Sequence, residues 1–209
     1  LSTKSNLLKA CLIGIFSSLP FDFICRQKLA GMNMNFFYVN QFPLLPCNTF
    51  SEEVITELLP RVIELSFTSW DIKGFADDTW QESRDELKFA IKRQWEENQK
   101  TTGGHRWNPP VWAEQPANPS EPGYTGCPLP PFKWDEDRRA VLKAELDAIY
   151  AKLYGLTTDE LRYIMDPQDV YGPDFPGETF RVLKEKEIRL YGEYRTKRLV
   201  MEAWDRLNN

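Results

Sequence analysis

Histidine is almost missing from this sequence, with His105 the single one in 209 residues. Cysteine is scarce and scattered: Cys11, Cys25, Cys47 and Cys127 lie far apart, without a Cys-x-x-Cys pair. A structural zinc site needs about four ligands at short paired spacings, so reduced thiols of a cytosolic protein are the simpler reading. No apolar run reaches the ~18–20 residues that cross a bilayer. The most apolar stretch, residues 7–24, is broken by Ser17, Ser18, Pro20 and Asp22, and it lacks the small-residue cleavage site of a signal peptide. A Gly-x-x-x-x-Gly-Lys phosphate loop is absent. So is an excess of positive charge: the net charge of −5 excludes a free-standing polycation that coats nucleic acid. The chain opens at Leu1, without an initiator Met, almost directly into a helical pattern, as expected of a fragment.

What is present is unevenly distributed. Residues 1–50 hold Lys4, Lys9, Arg26 and Lys28 against the single acid Asp22, so this segment is the better face for DNA on charge alone. Residues 6–18 read as a buried helix, apolar nearly all round, which Pro20 ends or kinks. Residues 21–29 suit a second helix with Phe21, Ile24, Cys25 and Leu29 on one side, and residues 35–39 are aromatic and β-branched enough for a strand. The prolines of Gln41-Phe42-Pro43-Leu44-Leu45-Pro46 require extended backbone. Ser51 caps a helix that carries Pro60 within it. Residues 70–78 read as a loop, and 80–99 as a charged helix with the thin apolar stripe Leu87, Ile91, Trp95.

Residues 101–131 hold eight of the fifteen prolines and form a connector without regular structure, read as an insertion lying over a surface. Asp135 then caps a helix over 136–154 that Gly155 ends, with Val141, Leu142, Leu146, Ile149, Leu153 and Tyr154 as its buried face. Thr157-x-x-Glu160 is a capping box opening a short helix. Residues 166–177 read as a loop, and 178–207 as one long helix or two, with Gly192 as the weak point.

The motifs that could carry chemistry are thin. Asn108-Pro109-Pro110 matches the start of the Asn-Pro-Pro-aromatic motif of amine-modifying methyltransferases. Val111 stands where the base-stacking ring should be, and no Gly-rich cofactor loop precedes it. Asp77-Asp78 and Asp135-Glu136-Asp137 sit at helix starts, where capping explains them. Glu185-Lys186-Glu187 is a loose nuclease-like pattern of the kind charged helices produce by chance. Serine–histidine catalysis has only His105, which lies in the irregular connector. The stretch Arg26-Gln27-Lys28-Leu29-Ala30-Gly31-Met32-Asn33-Met34-Asn35-Phe36-Phe37 admits two readings. Its basic and amide side chains suit phosphate contacts and the reading of adenine or guanine edges. The same residues also suit a helix–turn–strand packing motif whose Asn side chains satisfy turn backbone.

That stretch, followed by Gln41-Phe42-Pro43-Leu44-Leu45-Pro46, resembles the end of the target-recognition region in large restriction–modification methyltransferases of the type IIG-like and phage-defence kind. Phe132-Lys133-Trp134-Asp135-Glu136-Asp137-Arg138-Arg139, Glu145-Leu146-Asp147-Ala148 and Leu153-Tyr154-Gly155-Leu156 are similar to the C-terminal tail of the same proteins. So are Asp159-Glu160-Leu161-Arg162-Tyr163-Ile164, Glu178-Thr179-Phe180-Arg181-Val182-Leu183-Lys184 and Gly192-Glu193-Tyr194-Arg195-Thr196-Lys197-Arg198-Leu199-Val200. The resemblance covers residues 1–78 and 123–209. It implies a parent enzyme that methylates the exocyclic amine of adenine in double-stranded DNA with S-adenosylmethionine, and whose catalytic motifs lie outside this chain. It further implies a prokaryotic, cytoplasmic setting without a membrane.

The expectations are therefore these. The fold is mainly α with a minor β element (α+β), a helical bundle-like tail packed with the end of a target-recognition region. Residues 1–50 close that region, 51–100 form a helical spacer with an inserted charged helix, 101–131 the proline-rich connector, and 132–209 the helical tail. The N-terminal helices and the tail share one core, because neither half carries much apolar surface. Arg26, Lys28, Asn33 and Asn35 are the candidate DNA contacts, with Lys92, Arg93 and Arg106 as phosphate contacts from the insertion. No catalytic, cofactor or metal residue is expected in the fragment itself. The alternative is a structural tail that packs on the methyltransferase core of the same chain, with no DNA contact.

Overall fold

The computed structural model describes residues 5–29, 31, 34–104, 108–177 and 179–208, which are mainly helical and include no strand. In chain order the helices are α1 (Asn6–Phe16), α2 (Leu19–Lys28), α3 (Phe36–Val39), α4 (Glu52–Ser66), α5 (Lys73–Glu82), α6 (Asp85–Thr102), α7 (Glu136–Leu153), α8 (Thr158–Met165), α9 (Gln168–Tyr171), α10 (Arg181–Tyr191) and α11 (Arg195–Asn208). They form two compact units, each built from two separated stretches of chain. One comprises residues 1–14 and 50–139, the other residues 15–49 and 140–209.

In the first unit α4 packs along α6. Ser51 starts α4 as expected, its hydroxyl accepting from the Val54 N–H at 3.4 Å. The helix buries Leu58, Leu59, Val62 and Ile63, and α6 buries Leu87 and Ile91. The loop expected over 70–78 is instead a 3-10 turn at Trp70–Ile72 running into α5. Two local features favour helix there. Lys73 and Asp77 pair one turn apart at 2.6 Å, and Ala76 and Trp80, spaced four apart, are both buried. Ser83, in extended backbone, separates α5 from α6, so the charged helix begins at Asp85 rather than at residue 80. Past the end of α6 at Thr102, the described residues of the connector have one 3-10 turn, Val111–Ala113, and no other regular element.

In the second unit α7 is the central element. Its residues 142–151 bury Leu142, Ala144, Leu146, Ala148, Ile149, Tyr150 and Ala151, on more than one face, while Val141 is 37% exposed and does not belong to the buried face. The alanines let α8 and α11 come close: Leu161, Met165, Tyr194, Val200, Ala203 and Trp204 join Ala144, Ala148 and Ala151 in one core cluster. The capping box at Thr157 and Glu160 is present in both directions. Residues 166–177 contain the short helix α9. The C-terminal pattern splits into α10 and α11 at Gly192, whose φ of 77° is a left-handed conformation that only glycine adopts without strain.

The strand expected over residues 35–39 is a single helical turn, α3. Asn35 decides this: its side-chain oxygen accepts from the Tyr38 N–H at 3.2 Å and so caps the turn. The β preference of the aromatic residues is overridden because they are not paired with a neighbour, and β propensity reflects packing on a half-buried pleated surface.

Candidate functional site

The expected DNA-contacting residues divide between the two units. Arg26, Lys28 and Asn35 belong to the second; Lys92 and Arg93, on α6, belong to the first. Asn33 and Arg106 lie outside the described residues, as does His105. Arg26 ends α2, where its guanidinium donates two parallel bonds to Asp22 at 2.9 and 3.0 Å and lies 5.2 Å from the centre of the Phe180 ring. Lys28 is exposed in the last turn of α2. Asn35 is exposed, but its oxygen is committed to the α3 cap. Lys92 is exposed and its ammonium lies 5.7 Å from the centre of the Trp80 ring; Arg93 is exposed and lines the groove between α4 and α6.

Around Asn35 the surface is apolar. Met34, Phe36 and Phe37 are 54, 78 and 70% exposed, and Val39 is also exposed. The following segment turns inward. Phe42 is buried edge-on against Phe21, with ring centres 5.2 Å apart, and the Pro43 carbonyl accepts from the Tyr154 hydroxyl at 2.9 Å. The Gln41-to-Pro46 string is thus tied to the end of α7 while the turn before it stays in solvent.

Three buried polar centres have roles the sequence reading did not give them; Asp77, expected at a helix start as a capping residue, lies inside α5 and is buried. In the first unit, Glu64 accepts two bonds from the Arg138 guanidinium (2.5 and 2.9 Å), one from Gln94 and one from Asn98. Asn98 also exchanges bonds with the backbone of Lys133 at 2.9 and 3.0 Å, so its amide replaces the missing chain partner of residues leaving the connector. A signal for Asn98 existed: it continues the Leu87, Ile91, Trp95 spacing and therefore falls on the buried stripe. In the same unit, Asp77, fully buried, accepts from Lys73, from the Ala117 N–H at 2.8 Å and from the Cys127 N–H at 2.7 Å. Tyr124 adds a bond to Asp78, and Gln81 bonds the backbone of Gly123 and Thr125. The connector is therefore fastened to α5 by side chains that satisfy its unpaired backbone.

The third centre lies in the second unit. Asp147 points at the start of α2 and accepts from the Leu19 N–H at 2.7 Å. Burial pushes its carboxyl up to about 7, with Asp22 acting in the same direction; the Leu19 bond and Lys143 oppose this. In the same unit, Glu187 caps α11 through the Thr196 N–H and hydroxyl. Asp166 and Asp169 gather Lys184, Lys197 and Arg162, and the Arg162 guanidinium holds the Asp169 carboxyl below the usual carboxylate range.

These centres hold structure: the Glu64 and Asp77 oxygens are taken by backbone and side-chain donors, and Asp147 receives the Leu19 N–H. Burial pushes the Cys11 thiol up to about 12 and the Cys127 thiol up to about 11, so neither is a thiolate nucleophile at neutral pH. Among the described residues no three His, Cys, Asp or Glu side chains are grouped to hold a metal ion, and no single helix is long and apolar enough to cross a membrane. Asn108 and Val111 are exposed on the connector surface, with Val111 83% exposed. Comparison with protein-family models, with curated proteins and with solved structures found no match to this chain.

Proposed function

We propose that this chain is a non-catalytic C-terminal part of a restriction–modification, adenine-specific DNA methyltransferase, in which it contributes to DNA target recognition and packs on the catalytic core. The observation that carries this reading is the way the resembling strings gather. Those at 26–37, 41–46, 145–148, 153–156, 159–164, 178–184 and 192–200 fall within the second unit, and two of them are joined directly by the Tyr154–Pro43 bond. The string at 132–139 falls in the first, together with the charged helix and the part of the connector before residue 123, which the resemblance does not cover. Separated strings that belong to one protein family are expected to share one core.

The residues of this chain do not fit S-adenosylmethionine. Such a site needs a Gly-rich loop at the end of a strand, and the described residues contain no strand. On this reading the cofactor and the chemistry belong to the parent's catalytic domain. What this chain offers DNA is the Arg26, Lys28, Asn33 and Asn35 segment, where cations position phosphates and amides read base edges. The solvent-facing Phe36 and Phe37 favour the second reading, a tail that buries this turn on the methyltransferase core without touching DNA.

A map of modified adenines in cells expressing the parent gene, intact or carrying substitutions here, tests both. Asn35→Asp keeps an oxygen to cap α3 but removes the amide donor. Under the recognition reading it changes the modified motif, as does Asn33→Ala. Under the tail reading both leave the motif unchanged, while Phe36→Ser with Phe37→Ser lowers methylation at every site alike. An intact, folded parent with cofactor that modifies no adenine would reject the methyltransferase reading itself.

A further inference from the structure

One concavity of the first unit lies away from the Arg26-to-Phe37 segment in sequence and is lined by other residues. It is an open groove of about 1050 Å³ between α4 and α6. Its apolar lining is supplied by Leu7, Ile55, Leu87, Phe89 and Ala90. Phe89 is 68% exposed there, an apolar ring on a helix whose other apolar residues Leu87 and Ile91 are buried. The charges around it are unbalanced once pairs are removed. Glu52 is paired with Arg84, and Glu82 accepts from the Ser5 hydroxyl and the Leu7 N–H. Arg61 is engaged as well. With Glu52 and Arg84 paired, the groove keeps Glu53, Glu57, Glu82 and Glu86 against Arg61 and Arg93, an excess of acid.

An apolar floor with acidic rims selects its occupant by charge. A basic amphipathic helix fits: its apolar face covers Phe89 and Ile55, and its Lys or Arg residues meet Glu57 on one side and Glu86 on the other. DNA does not fit, because the carboxylates repel phosphate and the aromatic floor has no phosphate partner. We infer that the α4–α6 groove is a docking site for a basic amphipathic helix of a protein partner, independent of what the second unit does.

Fluorescence anisotropy with the intact chain tests this, using a labelled helix-forming peptide of about 18 residues with Leu on one face and Lys on the other. Its counterpart with Glu in place of Lys and a duplex DNA are the comparison probes. The Lys peptide is expected to bind saturably and the other two not. Glu57→Lys with Glu86→Lys, both exposed positions, should weaken binding about tenfold or more by placing like charges on the rims. Phe89→Ala should weaken it about tenfold through lost apolar burial. Because the whole chain is acidic, Glu185→Lys with Asp205→Lys in the second unit supplies the same net-charge change away from the groove and should leave binding within about twofold. Circular dichroism establishes that each variant is folded. Equal losses in the two charge-reversed pairs, an unchanged affinity for Phe89→Ala, or tighter binding of the Glu peptide or of DNA would each overturn the inference.

Discussion

Asp147 is a carboxyl kept in the interior of the second unit with a single backbone donor, the Leu19 N–H. Its folded pKa of about 7 lies above its unfolded value of 3.8, so the native state binds the proton more tightly than the unfolded chain does. Its contribution is therefore most favourable below the unfolded value, and stability falls as pH rises from about 4 to about 7. The full effect is on the order of 4 kcal/mol. Asn at this position keeps an oxygen for Leu19 and has no proton to lose. Urea unfolding at pH 5 and pH 8 should show Asp147→Asn gaining relative to the parent at the higher pH; parallel behaviour of the two proteins would contradict the buried-acid account. Glu64 and Arg138 present the opposite case, a buried pair with every bond made. Removing either partner should cost about 3–5 kcal/mol by leaving an unpaired charge, and a double change to apolar residues of similar size should recover much of it.

At the scale of elements, the connector is the informative case. Its prolines remove backbone donors and forbid helix, so its order depends on the partners other elements offer its remaining backbone groups. Asp77 on α5 is the main such residue, joining Ala117 and Cys127, ten residues apart. Asp77→Ala should loosen the connector before it unfolds the helices, seen as new cleavage within residues 108–127 under limited proteolysis while helical circular dichroism persists. Gly126 makes the same point from the other strand of this contact. Its φ of 64° is left-handed, and a Cβ there would lie 3.0 Å from Pro116 and 3.1 Å from Asp77. Gly126→Ala is therefore expected to destabilise by about 1–3 kcal/mol, measured by thermal unfolding.

At the scale of the molecule, the order of the chain and the order of the fold differ. Residues 15–49 share a unit with residues 140–209, and residues 1–14 with 50–139. Truncation after residue 191 removes Tyr194, Val200, Ala203 and Trp204 from the cluster around α7 and uncovers its alanine face. The expected result is loss of soluble protein rather than a shortened, folded chain, read from the yield and from near-ultraviolet circular dichroism. A well-folded truncated protein would mean that α11 is not part of the core.

Local chemistry was legible wherever one or two neighbouring residues decide the outcome. The Ser51 cap, the Thr157–Glu160 box and the break at Gly192 follow from backbone rules that act within a few residues, whereas the Gln41-to-Pro46 string, expected to be extended, opens with turns in which the Gln41 and Leu44 N–H groups donate to Tyr38 and Phe42. The mainly helical class followed from apolar spacing in α4, α6 and α7. Asn35 admitted two readings, a base contact and an amide that satisfies turn backbone, because the two look alike in sequence; its oxygen caps α3. Which carboxylates are buried was also hidden. Glu64, Asp77 and Asp147 sit in helices with many similar acids, and only the arrival of Arg138, the connector backbone and α2 makes them central. The sequence by itself determined the helix ends marked by a capping residue or a glycine, at Ser51, Thr157 and Gly192, because those choices are local. Tertiary structure alone decided which acids are buried and which grooves and turns stay open, because those depend on residues far apart in the chain being brought together.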